Sequence, residues 1–225
     1  MLAAFLDSTN LKPHSTTKDI ITLCEQAARY SMAAVCVTPY RLPLAKKALM
    51  GTGVKACTVI GFPLGTDPAY LKWKQALWAL QNGADELDMV INLGAVKDRQ
   101  WDPVKQELVG VMRLKAQFPM VLKVIVETGL LTREELIDVL TLLEEQEVDF
   151  IKTSTGINCR GASLEDLYTI CEHRRSFIKI KASGGIKTLD FARQLLAAGA
   201  DRIGSSNAAA LVEAELREAA TSGEG

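Results

Sequence analysis

Short apolar runs alternate with longer stretches of helical periodicity along the whole chain. Each run is bounded by polar or glycine-containing turns, as is typical of buried strands. The pattern predicts eight strands, at residues 3–7, 34–38, 55–61, 86–92, 121–127, 149–154, 178–183 and 201–204. It predicts helices near residues 16–30, 40–50, 68–82, 102–117, 133–147, 163–174, 188–198 and 206–219.

Eight strands that are each followed by a helix favour an α/β fold of the (β/α)8 TIM barrel type. We expect one domain over residues 1–225, because no linker or low-complexity segment divides the chain, with 221–225 as a frayed tail. The alternative is a doubly wound open sheet. The first strand is not followed by the G-x-G-x-x-G sequence that often accompanies that fold.

Local signals support these boundaries. Thr132-x-x-Glu135 and Ser163-x-x-Asp166 are capping-box patterns at predicted helix starts. The sequence Gly-Ala-Asp occurs before two predicted strands, at residues 83–85 and 199–201. In both copies the glycine falls where a helix should end in the left-handed conformation, and the aspartate opens the next strand.

Composition excludes several classes of function. The 225 residues carry a net charge of −1 with no basic run, which argues against a nucleic-acid partner. No apolar stretch approaches the roughly 18 residues of a membrane span, and the N-terminus lacks the features of a secretory signal. Five widely spaced cysteines and two histidines predict reduced thiols in the cytoplasm and no metal site.

Charged residues interrupt several of the predicted strands. Strand residues alternate between faces, so Asp88, Lys123, Lys152 and Lys181 share the faces that point into a barrel, as does Glu127. One such lysine is most simply a buried ion pair or a side chain that reaches solvent. A cluster is harder to explain structurally, because burying an unpaired charge costs several kcal/mol.

A chemical role explains the cluster better. An amine is a nucleophile only when it is neutral, and a free lysine with a pKa near 10.4 is almost entirely protonated at pH 7. A desolvated pocket and a second ammonium group favour the neutral form. Lys152 and Lys181 on neighbouring strands therefore indicate a Schiff-base-forming amine, and Asp88 is a candidate for proton transfer.

Three consecutive loops suggest a bound phosphate. Thr-Ser-Thr-Gly follows strand six at 153–156, Ser-Gly-Gly follows strand seven at 183–185, and Gly-Ser-Ser follows strand eight at 204–206. Barrels of this type often bind phosphate after strands seven and eight, at backbone amides and a helix N-terminus. Each glycine pair alone could be a tight turn.

Several ordered motifs resemble the deoxyribose-phosphate aldolase family of class I aldolases, from residue 6 to about residue 212. They are VTPY at 37–40, CTVIGFPLG at 57–65, GADELDMVIN at 83–92, KVIVET at 123–128, FIKTSTG at 150–156, KASGGI at 181–186 and RIGSS at 202–206.

The resemblance implies a role for each matching residue. Lys152 is the Schiff-base lysine, Lys181 the second lysine that favours its neutral form, and Asp88 the acidic proton relay. The substrate-binding residues are Asp7, Thr9, Lys123 and Thr155, and the phosphate-binding residues are Gly156, Gly184, Gly185, Gly204 and Ser205.

The implied reaction is reversible cleavage of 2-deoxy-D-ribose 5-phosphate to acetaldehyde and D-glyceraldehyde 3-phosphate, a step in deoxynucleoside breakdown. It requires no metal or organic cofactor. The expected partners are the phosphosugar and, in a homodimer or higher homo-oligomer, further copies of the chain.

Some positions depart from the family pattern, among them Ser8, Asn10, Asn207 and the segment 157–160. Lys179 replaces a small residue on the face of Lys181. We expect it one layer deeper in the barrel, where it needs a carboxylate partner or must be neutral. Arg160 is expected either to contact the phosphate or to face solvent.

Three other functions remain open from the sequence. The chain could be a lysine aldolase or transaldolase-like enzyme for a different phosphosugar. It could be a catalytically silent barrel that binds a phosphorylated ligand, although Lys152 and Asp88 are both present. A barrel isomerase would share the phosphate loops without needing a Schiff-base lysine.

Overall fold

A computed structural model describes residues 1–175 and 177–222. Eight parallel strands form a closed barrel in chain order, which confirms the (β/α)8 prediction and excludes the open sheet. The strands are β1 (Leu6–Asn10), β2 (Ala34–Val37), β3 (Lys55–Ile60), β4 (Glu86–Val90), β5 (Val121–Ile125), β6 (Phe150–Lys152), β7 (Lys179–Ser183) and β8 (Arg202–Ser205).

Helices surround the barrel, and most of the buried apolar residues lie between helices and strands. Within the described residues the α-helices are α1 (Thr17–Arg29), α2 (Leu42–Ala48), α3 (Ala69–Gln81), α4 (Leu93–Lys97), α5 (Trp101–Met112), α6 (Arg133–Glu145), α7 (Leu164–His173), α8 (Leu189–Ala197) and α9 (Ala208–Ser222). None of these helices is long and apolar enough to cross a membrane. Residues 221 and 222 continue α9, and the rest of the tail expected to fray lies outside the described residues.

The first strand begins later than predicted. Leu2–Phe5 form a 3-10 helix, and β1 starts at Leu6. The Leu2 N–H donates to the Glu215 carboxylate of α9, with N···O distances of 2.9 and 3.1 Å, and Leu2 and Ala3 are buried. The apolar pattern at the N-terminus therefore reflects packing near the last helix as well as the strand.

The helix after β4 was not predicted. Asn92 was expected on the inward face of the strand, but its side chain accepts a hydrogen bond from Ala95 N–H and begins the five-residue helix α4. A capping asparagine competes effectively with strand geometry because its side chain satisfies an otherwise unpaired backbone donor.

The capping patterns have different outcomes. The Thr132–Glu135 box is complete, with both side chains bonded to the opposite backbone N–H. At Ser163 only half of the box forms, because the Asp166 side chain binds Arg160 and Thr128 instead. The glycines of the two Gly-Ala-Asp sequences have the expected positive φ, +92° at Gly83 and +108° at Gly199.

The aspartates before β4, β6 and β8 share one role. Each carboxylate accepts a hydrogen bond from the backbone N–H of the second residue in the preceding strand. The bonded pairs are Asp85 with Ala56, Asp149 with Leu122 and Asp201 with Ile180, each at 2.8 Å. We call these three aspartates the base aspartates, because they lie at the amino-terminal end of the barrel.

Each base aspartate also faces a cation from the segment that comes before the strand it binds, that is, before β3, β5 or β7. Lys46 and Lys115 bind Asp85 and Asp149 at 2.8 and 2.6 Å, and Arg174 lies 3.7 Å from Asp201. These ion pairs are partly exposed and contribute little. The backbone hydrogen bond is the stronger constraint, since it joins each of β3, β5 and β7 to the start of the strand that follows it.

Replacing Asp149 with alanine is expected to lower the free energy of unfolding by about 1–3 kcal/mol, because Leu122 N–H loses its acceptor. Asp149→Asn keeps an acceptor oxygen and should cost less than about 1 kcal/mol. Urea denaturation measures both, with Glu25→Ala on the exposed face of α1 as a control expected within about 0.5 kcal/mol of the parent. Equal midpoints for Asp149→Ala and the control would show that the bond is not stabilising.

Candidate active site

The barrel interior is divided into an apolar and a charged side. Ala34, Cys36, Cys57 and Val59 of β2 and β3 form a small buried cluster. Other inward positions carry charges, among them the four at Asp88, Lys123, Lys152 and Lys181 that strand parity predicted. The charged side is therefore formed mainly by β4 to β8 together with β1.

Asp88 lies at the centre of the charged side. Its Oδ2 is 2.7 Å from both Lys152 Nζ and Lys181 Nζ, and its Oδ1 is 2.8 Å from Lys123 Nζ. Lys152 and Lys181 are register partners on β6 and β7. The four predicted residues thus meet at one carboxylate, and all four are buried.

A second layer of charges lies next to Lys123 and Lys181. Lys181 Nζ also donates to Asp7 Oδ2, and Lys123 Nζ is 2.6 Å from Glu86 Oε2. Arg202 Nη1 lies 2.6 Å from Asp7 Oδ1 and 3.5 Å from Glu86 Oε2. Asp7 is therefore part of the same buried ion-pair network.

Sequence reasoning gave no role to Glu86 or Arg202. Glu86 is two residues before Asp88 on β4, and Arg202 is two residues before Gly204 on β8, so parity places both on the inward face. Strand parity could therefore have identified both residues. Parity is a weak guide at the first residue of a strand, however, because side chains there often reach solvent.

The electrostatic environment fixes the charge of most of these groups. Burial alone would raise the pKa of the Asp88 carboxyl, but the ammonium groups of Lys123, Lys152 and Lys181 outweigh it and hold that pKa well below its usual range. Burial alone would lower the pKa of Lys181, but Asp7 and Asp88 outweigh it and raise that pKa. Asp88 acts in the same way on Lys123, whose pKa is also raised.

A cavity of about 390 Å³ opens above this network at the carboxyl ends of the strands. Lys152 lines it, whereas Asp7, Asp88, Lys123 and Lys181 lie beneath it. The other predicted site residues on its wall are Thr9, Thr155, Gly156, Gly184, Gly185, Gly204 and Ser205. Lys12, Lys187 and Phe62 also line the cavity and were not predicted.

Glycines allow close backbone contact between the loops after β6 and β7. A Cβ on Gly184 would lie 2.8 Å from Gly161 Cα and 3.2 Å from Gly156 Cα. Gly161 was not singled out from the sequence, because its contact joins two separate loops. At Gly204 a Cβ would lie 3.1 Å from Lys181 Cε, so the missing side chain leaves room for that lysine.

Glu127 holds the loop after β6 in place. This buried residue has a left-handed φ of 53°, which is uncommon outside glycine. Its carboxylate accepts hydrogen bonds from Thr155 N–H at 3.0 Å, Thr155 Oγ1 at 2.6 Å and Asn158 Nδ2 at 3.1 Å. Asn158 Nδ2 also donates to Pro63 O at 2.8 Å, which ties this loop to the loop that contains Phe62.

One expectation for a basic residue is wrong, and another is confirmed in part. Lys179 is exposed at the start of β7, with Nζ 5.7 Å from the centroid of the Phe150 ring, because the first residue of the strand lies at the barrel end. Arg160 is exposed, in line with one of its two expected positions, and it also forms two hydrogen bonds of 2.6 and 2.8 Å with Asp166. That carboxylate draws Arg160 toward the start of α7.

The donor atoms of Cys36, Cys57 and Asp88 lie within 4.8 Å of one another, as in some metal sites. Both Asp88 oxygens already accept hydrogen bonds from ammonium groups. A metal ion there would face three positive charges, so this donor set does not suit a cation.

Comparisons with known proteins agree with this geometry. A family model described as DeoC/LacD family aldolase matches residues 2–211. The deoxyribose-phosphate aldolase of Thermococcus kodakarensis is 44% identical over 214 residues, which cover 94% of this chain and 96% of that protein.

Two solved structures are also similar. An aldolase called QR15 superposes with a TM-score of 0.92 at 40% identity, with 98% of each chain covered. A deoxyribose phosphate aldolase from Aeropyrum pernix with a tetrameric structure gives a TM-score of 0.88 at 33% identity, over 94% of this chain and 89% of its own. The resemblance seen in the sequence is confirmed, and the chain belongs to the DeoC/LacD family of aldolases.

Proposed function

We propose that the protein is a deoxyribose-phosphate aldolase that cleaves 2-deoxy-D-ribose 5-phosphate reversibly to acetaldehyde and D-glyceraldehyde 3-phosphate. The observation that carries the proposal is the position of Lys152. Its amine lies on the wall of the cavity and 2.7 Å from a buried carboxylate. Family membership supports the same reaction class.

Lys152 is the best candidate for the nucleophile among the three clustered lysines. Within the described residues its Nζ contacts one carboxylate, Asp88, whereas Lys181 contacts Asp7 and Asp88. Lys123 contacts Asp7, Glu86 and Asp88 and does not line the cavity. Lys152 is thus the lysine for which loss of the proton sacrifices the fewest ion pairs.

The reaction begins when the neutral Lys152 amine attacks the aldehyde carbon of the open-chain sugar. Loss of water gives an iminium, which accepts the electron pair of the breaking carbon–carbon bond. A proton leaves the C3 hydroxyl, the C2–C3 bond breaks, and D-glyceraldehyde 3-phosphate departs. Protonation of the remaining enamine at C2 and hydrolysis then release acetaldehyde and the free amine.

Asp88 and Lys181 are assigned to proton transfer. Asp88 Oδ2 accepts a hydrogen bond from the reacting amine, and Lys181 donates to that same oxygen. A water molecule can connect both groups to the substrate. The iminium supplies the electron sink, so none of these steps calls for a metal or an organic cofactor.

The phosphate is assigned to the glycine-rich part of the cavity lining. Gly156, Gly184, Gly185, Gly204 and Ser205 all line the cavity, and loops of this kind can offer backbone N–H groups to an anion. Lys12 and Lys187 also line the cavity and add positive charge to it. Thr9 and Thr155, which line the same cavity, are assigned to the sugar.

We further propose that the protein acts in the cytoplasm as a homo-oligomer. All five cysteines are free thiols, as a reducing compartment would maintain them. The tetrameric relative from Aeropyrum pernix supports self-association. Sedimentation analysis of the purified protein tests the assembly.

Borohydride reduction in the presence of 2-deoxyribose 5-phosphate is expected to trap an adduct on Lys152. Peptide mass spectrometry locates the modified residue, and Lys152→Met should abolish both the adduct and acetaldehyde release. An adduct on Lys181 would move the nucleophile. A folded protein with no adduct and no acetaldehyde would favour a silent phosphate-binding barrel, and an adduct only with other phosphosugars would favour a different aldolase.

Asp88→Asn is expected to lower kcat by about 10²–10⁴-fold, because the carboxylate that moves the proton is replaced by an amide of the same shape. Steady-state acetaldehyde release measures the loss, and the exposed Asp98→Asn serves as the control. A variant that folds normally and keeps more than half of the parent kcat would remove Asp88 from the mechanism.

Lys187→Gln and Lys12→Gln are each expected to raise KM for 2-deoxyribose 5-phosphate by about 3–10-fold, since a charge-assisted contact to phosphate is lost. KM for unphosphorylated 2-deoxyribose should not change. Lys18→Gln on α1, which is exposed, controls for net charge. Equal effects on both sugars would place the phosphate elsewhere.

A further inference from the structure

The buried ion-pair network of the active site has unequal numbers of positive and negative groups. Three carboxylates and four cationic groups contact one another. They are Asp7, Glu86 and Asp88, and Lys123, Lys152, Lys181 and Arg202; we call them the charge cluster. With every member ionised the cluster carries one surplus positive charge, and the loss of one proton makes it neutral.

Arg202 is the member that creates the surplus. It lies on β8 at the end of the cluster away from the cavity, where it contacts Asp7 and Glu86 and its side chain is 16% exposed. Without it, three carboxylates would face three lysines. A guanidinium does not lose its proton in proteins, so loss of a proton from a lysine or from a neighbouring thiol would relieve the surplus.

The surroundings of Lys152 decide which group loses the proton. Lys152 binds the Asp88 carboxylate of β4, which Lys123 of β5 and Lys181 of β7 also bind. The thiols of Cys36 and Cys57 lie beside that carboxylate. Carboxylates raise the pKa of both Lys123 and Lys181, which keeps those two charged. Burial raises the pKa of the Cys57 thiol and keeps it neutral, whereas a hydrogen bond with Cys57 lowers the pKa of Cys36.

We propose that Arg202 is a positioning residue that acts through the charge cluster to favour the neutral, nucleophilic form of the Lys152 amine. This inference rests on the proposed Schiff-base function. Lys152, Lys181 and Arg202 are successive register partners on β6, β7 and β8. Arg202 therefore lies two strands from Lys152, roughly 10 Å away, and influences it by charge alone, without touching the substrate.

The expected consequence is a displaced pH profile. At roughly 10 Å and an effective dielectric constant of about 20, one charge changes a proton equilibrium by about one pH unit. In Arg202→Gln the rate of adduct formation with 2-deoxyribose 5-phosphate should become half-maximal about one unit higher than in the parent. Glu86→Gln removes a negative charge and should move the profile in the opposite direction.

Lys179 provides a matched control. Lys179 Nζ and Arg202 Cζ lie at similar distances from the centroid of the Phe150 ring, 5.7 and 5.6 Å. Of these two residues, Arg202 is the one that contacts the buried carboxylates. Lys179→Gln removes a positive charge at the same barrel end and should leave the profile unchanged. Arg202→Lys keeps the charge and should recover at least half of the shift caused by Arg202→Gln.

Single-turnover borohydride trapping between about pH 5 and 10 measures these profiles. Shifts of opposite sign in Arg202→Gln and Glu86→Gln support the inference, and an Arg202→Gln that is slower at every pH with an unmoved midpoint overturns it. If Arg202→Gln does not fold, Glu86→Gln decides: a midpoint at lower pH than in the parent supports the inference, and an unmoved midpoint overturns it. A shift that disappears when Cys36→Ser is added belongs to the thiol and also overturns it.

The experiment separates this inference from the proposed function. A parent protein that gives no adduct at any pH contradicts the Schiff-base mechanism itself. A parent that forms the Lys152 adduct, together with a folded Arg202→Gln whose midpoint is unchanged, contradicts only the role of Arg202.

Discussion

The Asp88 carboxylate is the interaction on which the rest of the barrel interior depends. Three ammonium groups from three strands donate to its two oxygens, and all four residues are buried, with Lys152 at the edge of the cavity. Each of these charges would cost several kcal/mol if it were buried alone. The strands must therefore close in the register that brings these charges together. The same pairing of charges is needed both for assembly of the barrel and for the chemistry of the site.

Much of this arrangement follows from periodicity in the sequence. The alternation of strands and helices was sufficient to predict eight strands in a closed barrel, and parity along each strand brought Asp88, Lys123, Lys152 and Lys181 to one side of it. Parity failed at the first residue of β7. Lys179 has the correct face for burial, but a first position on β7 lets its long side chain leave the barrel.

Partner choice between distant loops could not be predicted. The contact of Gly161 with Gly184, the bond from Asn158 to Pro63 O and the pairing of Arg160 with Asp166 each depend on how loops fold back in space. Local sequence constrains the conformation of each loop, but it carries no information about which neighbouring loop supplies the acceptor. The walls of the cavity are for that reason less predictable than the residues beneath it.

The base aspartates have a consequence for how this protein can change. They fasten three strand pairs at the amino-terminal end, while the cavity and every loop around it lie at the opposite end. Barrel closure is thus separated from the variable surface that selects a substrate. Segments such as 157–160 can be exchanged by mutation or recombination while the strand alignment beneath them is preserved, which makes the cavity wall the most accessible part of the molecule for redesign.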